Sequence, residues 1–220
     1  MAPVSQVEQD VKTDPEYQYS DSSIAEAFQT MPQIKPPIKI SIYNAGQTVS
    51  HIAGDLDALT GVRNTTYITP GLIDFVKPAG SPSERRNLYG YRRTIRSMDL
   101  RALAAQSHSD VILYIEPFHE VRTGANALAV TYAGILPMFF VPGNSVEVTS
   151  TVDVYLIDVR NGFIYSSYRN QTRAEKRFVK IGHRKHTDEL IERNNSVLLQ
   201  SVVGELERVL KNESYFVSTE

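Results

Sequence analysis

The stretch VEVTSTVDVYLIDVRNGFIYSSYRNQT, Val146 to Thr172, decides the fold. Val148, Val152, Val154 and Leu156 fall on one side with Ser150, while Glu147, Thr149, Thr151, Asp153 and Tyr155 fall on the other. A period of two with one apolar side marks a half-buried strand. The segment DVRNG then supplies an Asn-Gly pair suited to positive φ, and FIYSSYRNQT returns as the partner strand. The spacing predicts a long β-hairpin over about 146–178. Asp153 and Glu147 share its polar side, as the exposed side of a half-solvated sheet requires.

The flanking sequence extends this to an α/β (α+β) domain with a mixed sheet. Downstream, Leu190, Ile191, Leu198, Val202, Leu206 and Val209 form one apolar stripe. They predict a C-terminal helix over about 187–211, opened by Thr187, with acidic residues near its start and Lys211 near its end. Upstream, Ser97 can cap a helix whose Leu100, Leu103 and Ala104 face inward, ended by Asp110. The run VILYIEPF that follows suits a strand covered on both faces. Earlier still, IKISIY after Pro36 and Pro37 reads as a first strand and NTTYIT as another, with Ile52, Leu56 and Leu59 at helical spacing between them. Ile24, Ala27, Phe28 and Met31 suggest a short helix stopped by Pro32. Residues 23–220 are thus expected to form a single domain, and residues 1–22 a flexible, polar tether.

Composition removes several functions. Among 220 residues there is no cysteine, which excludes disulfides, thiolate metal sites and cysteine nucleophiles. A net charge of −2 argues against nucleic acid as a partner. No phosphate loop, Rossmann fingerprint or nucleophile elbow occurs, so no cofactor and no enzymatic activity are expected. In GHRKH, His183 and His186 are separated by cationic Arg184 and Lys185, which disfavours a metal. His119 and Glu120, at the end of a strand, are the only foothold for catalysis.

Two segments suggest surfaces. Arg85, Arg86, Arg92, Arg93, Arg96 and Arg101 interleave with Leu88, Tyr89 and Tyr91, either as a patch for phosphate, anionic glycan or acidic protein, or as a solvated helix face. The run AVTYAGILPMFFVPGN, Ala129 to Asn144, is interrupted by Gly134, Pro137 and Pro142 before it reaches membrane-spanning length. Here ALAVTYAG suits a strand and LPMFFVPG a loop or edge strand. Met138, Phe139 and Phe140 would be core residues or a contiguous partner surface, and burial is the expectation.

The hairpin, with the preceding SMDLRALAAQSHSDVILYIEPF and AGILPMFFVPGN, resembles envelope lipoproteins of the rhombotarget and CsgG (curli-secretion) type across about Ile38 to Phe178. That resemblance implies a periplasm-facing, outer-membrane lipoprotein, a non-catalytic accessory or scaffold in envelope assembly or secretion. Its partner would be an envelope protein or an anionic glycan or lipid surface. Lipoproteins of this kind start at a lipidated cysteine, so the resemblance implies a membrane anchor that this cysteine-free sequence does not carry. The alternative is a homo-oligomeric ring component of a polysaccharide or protein export apparatus, and a third reading is an uncharacterised hydrolase. The barrel-forming strands of the curli exporter have no counterpart here.

Overall fold

The computed structural model describes residues 26–27, 29–45, 52–69, 72, 97–125, 144–178 and 183–212. The chain divides into two compact units, Met1–Met31 and Pro32–Glu220. In the first, residues 26, 27 and 29 are helical, and Thr30 donates its N–H to the Ala27 carbonyl and its hydroxyl to that of Glu26.

The second unit contains β1 (Ile38–Asn44), α1 (Ile52–Asp57), β2 (Val62–Ile68), α2 (Ser97–Gln106), β3 (Val111–Ala125), β4 (Asn144–Asp158), β5 (Ile164–Phe178) and α3 (His183–Leu210). Among the described residues the strands make one mixed sheet of five in the order β2-β1-β3-β4-β5. β1 is parallel to both β2 and β3, while β3, β4 and β5 run antiparallel. This is the α+β architecture that the sequence implies, closed by the C-terminal helix.

Alternation sorts the strands onto two layers. Ile38, Ile40, Ile42, Leu113, Ile115, Val154 and Leu156 meet Ile52 and Leu56 of α1 and Leu198, Val202, Leu206 and Val209 of α3. On the other face, Leu100, Leu103 and Ala104 of α2 pack on Tyr43, Ile68, Ile112 and Val159. The centre of the sheet is therefore covered on both sides, which is why Val111 to Leu113 are buried without alternation.

The ends of elements depart from the sequence pattern. α2 stops at Gln106, short of Asp110, because His108 enters the left-handed region at φ 54° and Ser109 returns its N–H to the Ala104 carbonyl at 2.9 Å. Asp110 instead accepts the Lys39 N–H at 2.9 Å and pairs with Arg160 at 2.8 Å. The hydroxyls of Ser41, Ser107 and Ser109 lie 2.8 to 3.1 Å apart beside this join.

In the β4–β5 turn, Gly162 alone takes positive φ (78°), while Asn161 uses its side-chain oxygen to accept the Phe163 N–H at 3.0 Å. Arg101 belongs to this turn, donating to the carbonyls of Val159 and Arg160 at 3.0 and 2.6 Å. The other arginines of the cluster read from sequence, Arg85, Arg86, Arg92, Arg93 and Arg96, lie outside the described residues.

α3 starts at His183 rather than Thr187, so its first turn is basic and not acidic. That placement opposes the helix dipole. Glu189, one turn on, collects Lys176 at 2.5 Å and His186 at 3.4 Å, and their hydrogen bonds, that of Lys176 first, hold its carboxyl below the ordinary range.

Beneath the turn, the buried Asp158 accepts the Tyr165 hydroxyl at 2.7 Å. The same phenol oxygen accepts the N–H groups of Gln33 and Ile34 at 2.9 and 3.1 Å. Burial, reinforced by Asp158, pushes the Tyr165 phenol up to about 12.

Candidate functional site

The pairing of β1 with β3 ends at Asn44 opposite Ile115. Two residues further on, Pro117 has no N–H to offer on that side. β3, β4 and β5, each 15 residues long, continue without β1 as a three-stranded arm of residues 116–125, 144–153 and 169–178.

The inner face of the arm lies under α3. At its far end Val146, Val148 and Phe178 pack on Leu190. Between this cluster and the main core runs a polar layer. Ser150 is fully buried, Asn194 is 2% exposed, and His119 lies opposite Ser150. Asn194 Nδ2 donates to the Val148 carbonyl and to Ser150 Oγ, each at 3.0 Å. Ser150 Oγ is also 2.9 Å from His119 Nδ1. Having accepted from Asn194, Ser150 Oγ keeps both its proton and a second lone pair for His119 Nδ1, so either group can be the donor of that bond. Burial holds His119 below the ordinary imidazole range.

A serine beside an imidazole invites comparison with a nucleophile and its base. The geometry differs from one, because Ser150 is sealed under α3 and its oxygen is engaged by Asn194. Glu120, adjacent to His119, points to the opposite face by strand alternation and binds Arg122 Nε at 2.9 Å. His119 and Glu120 therefore do not converge, and among the described residues no second titratable group bonds to His119.

The outer face begins with a row of rings, Tyr43, Tyr114 and Tyr155, with centroids 5.5 and 6.0 Å apart. Burial, aided by Glu116, pushes the Tyr114 phenol up to about 12. Past this row come Glu116, Phe118 and Glu120 on β3, Asp153, Thr151 and Thr149 on β4, and Arg169, Gln171 and Arg173 on β5. Arg169 grips both Asp153 oxygens, at 2.5 and 2.7 Å, and its guanidinium is held above the ordinary range by that carboxylate. Arg173 binds Glu147. The two acids that share the polar side of the hairpin are thus each neutralised by an arginine of β5. Phe118 stands 54% exposed among them.

The candidate surfaces read from sequence, Arg85, Arg86, Tyr89, Tyr91, Arg92 and Arg93 together with Met138, Phe139 and Phe140, lie outside the described residues. Sequence reasoning passed over Asn194, whose signal is its position on the apolar stripe between Leu190 and Leu198. Among the described residues no cluster of three His, Asp or Glu is placed to hold a metal, and no helix is long and apolar enough to cross a membrane.

No family model matches the chain, and no curated protein matches it. Solved structures do. The hypothetical protein CT253 from Chlamydia trachomatis is 14% identical, with a TM-score of 0.34 over 79% of this chain and 97% of that one. The PelC dodecamer from Paraburkholderia phytofirmans is 14% identical, with a TM-score of 0.33 over 83% and 94%. Lipoprotein GNA1162 from Neisseria meningitidis is 15% identical, with a TM-score of 0.34 over 78% and 99%. Likenesses this distant carry no weight for what the arm does.

Proposed function

We propose that the chain is a non-catalytic, periplasm-facing lipoprotein of the outer membrane, an accessory or scaffold in envelope assembly or secretion. The observation that supports a binding role is the outer face of the arm. It lays charged, amide, hydroxyl and aromatic side chains along three strands, while the serine and imidazole of the inner face are tied up beneath α3. A flat array of this kind suits contact with an extended partner surface, whereas catalysis needs groups that converge on one reacting atom. The compartment rests on the resemblance of the hairpin to CsgG-type and rhombotarget lipoproteins. A partner of this face is an envelope protein or an anionic glycan or lipid surface, reached from a tethered anchor.

The experiment is expression from the native gene, metabolic labelling with radioactive palmitate and separation of the membranes. Label on the protein and recovery with the outer membrane are the expected result. Unlabelled protein in the cytosolic fraction would refute the assignment.

A further inference from the structure

Among the described residues β5 is an outer strand of the sheet. The Gln171 N–H turns to the side-chain oxygen of Asn170 at 2.8 Å, so the odd-numbered residues of β5 direct their backbone groups away from β4. We propose that this edge is an isologous interface, in which β5 pairs antiparallel with β5 of a second copy in a register centred on Thr172. The inference does not depend on the envelope reading.

Charge order selects the register. Exposed charges on an outer strand ordinarily discourage such pairing, but here their sequence is self-complementary. Centring on Thr172 sets Arg169 opposite the partner's Glu175 and Gln171 opposite the partner's Arg173, each twice by symmetry. A shift of two residues in one direction puts Arg169 opposite the partner's Arg173. A shift in the other puts Arg173 opposite itself and Arg169 opposite the partner's Arg177. Glu175 is also the acid with most to gain. Within its own chain it lies directly across from Glu147, and its cation, Arg177, is 3.9 Å away.

The helix above supplies an independent observation. Glu189 of α3 reaches Lys176, and Glu205 accepts the Ser166 hydroxyl at 2.7 Å, so both ends of this flank of α3 overhang β5. Val197 is midway in sequence between those two glutamates on the same i, i+4 line, and is 48% exposed. In the Thr172-centred register the two α3 helices lie side by side, and Val197 meets the partner's Val197 near the axis. β2, the other outer strand, offers only seven residues and an exposed Arg63, a poorer match for a strand bearing arginines.

Because the chain has no cysteine, a single introduced thiol reports the register directly. At the axis the two residues form a non-hydrogen-bonded pair with Cα atoms about 4.5 Å apart, inside disulfide range. In the same register the two copies of residue 167 are roughly 33 Å apart. Under mild oxidation Thr172→Cys should give a covalent dimer, and Ser167→Cys should not. Light scattering and sedimentation equilibrium of the full chain should show a two-protomer species. Glu175→Arg should raise its dissociation constant by about tenfold or more, by replacing both cross-copy pairs with repulsion. That change keeps the fold, since it sets an arginine opposite Glu147, and an unaltered melting temperature checks this. A monomer at all concentrations, a ring of more than two protomers, equal cross-linking at residues 167 and 172, or an unchanged constant for Glu175→Arg would each overturn the proposal.

Discussion

Asn194→Ala tests whether the polar layer under α3 holds the arm in place. Asn194 spends both amide hydrogens, on the Val148 carbonyl and on Ser150 Oγ, and is 2% exposed. A typical hydrogen bond contributes about 1 kcal/mol net, and a buried polar group left without its partner costs about 1 to 3 kcal/mol. Ser150 is fully buried and keeps only His119 after the change, so a loss near 3 kcal/mol is expected. For a domain of this size that corresponds to a fall of roughly 6 to 12 °C in melting temperature. Urea denaturation followed by circular dichroism measures it. The paired change Ser150→Val with Asn194→Leu removes both ends of the Asn194–Ser150 bond and should recover part of the loss, because the buried hydroxyl is no longer stranded and only His119 Nδ1 and the Val148 carbonyl lose a partner. A loss below about 0.5 kcal/mol for Asn194→Ala would refute the view that these bonds anchor α3.

Two further outcomes follow from the same geometry. His119 has a folded pKa held below that of the unfolded chain, about 6.5. Above that value both states are neutral and the group has no effect. As pH falls below it the unfolded chain takes the proton first, so stability drops until pH passes the folded pKa. A melting series from pH 8 to 4.5 should show this drop in the parent and a smaller one in His119→Gln; equal slopes would contradict it. Tyr165→Phe strips the buried Asp158 carboxylate of a donor and the Gln33 and Ile34 N–H groups of their acceptor, and should cost about 2 to 4 kcal/mol. A neutral result in the same denaturation assay would show that water replaces the phenol there.

The hairpin was legible because burial on one side writes itself into every second residue of β4, from Val146 to Leu156. β1 and the start of β3 were legible for another reason, since burial on both faces leaves an unbroken apolar run. The start of α3 was not, because Arg184 and Lys185 in a first turn contradict the dipole, and the compensating acid, Glu189, becomes visible only once Lys176 is known to stand beside it. The length of β3 was hidden by Pro117, which reads as a terminus but breaks only the rung facing β1. Of the inner polar layer, Ser150 among valines was a sequence signal. Its meeting with His119 depends on the register between β3 and β4, which no local pattern encodes. Opposite facing of His119 and Glu120, by contrast, follows from alternation as soon as both are known to lie within a strand.

The layer of Ser150, Asn194 and His119 also divides the interior. On one side lies the main core of β1, β3, β4, α1 and α3, and on the other a small cluster of Val146, Val148, Phe178 and Leu190. At this layer the two are joined by directional bonds and by the continuous ladders of β3, β4 and β5. Local opening comes first where buried apolar contacts are few, so the far end of the arm is expected to exchange its amide hydrogens ahead of the parallel strands, and faster at a pH low enough for His119 to take up a proton.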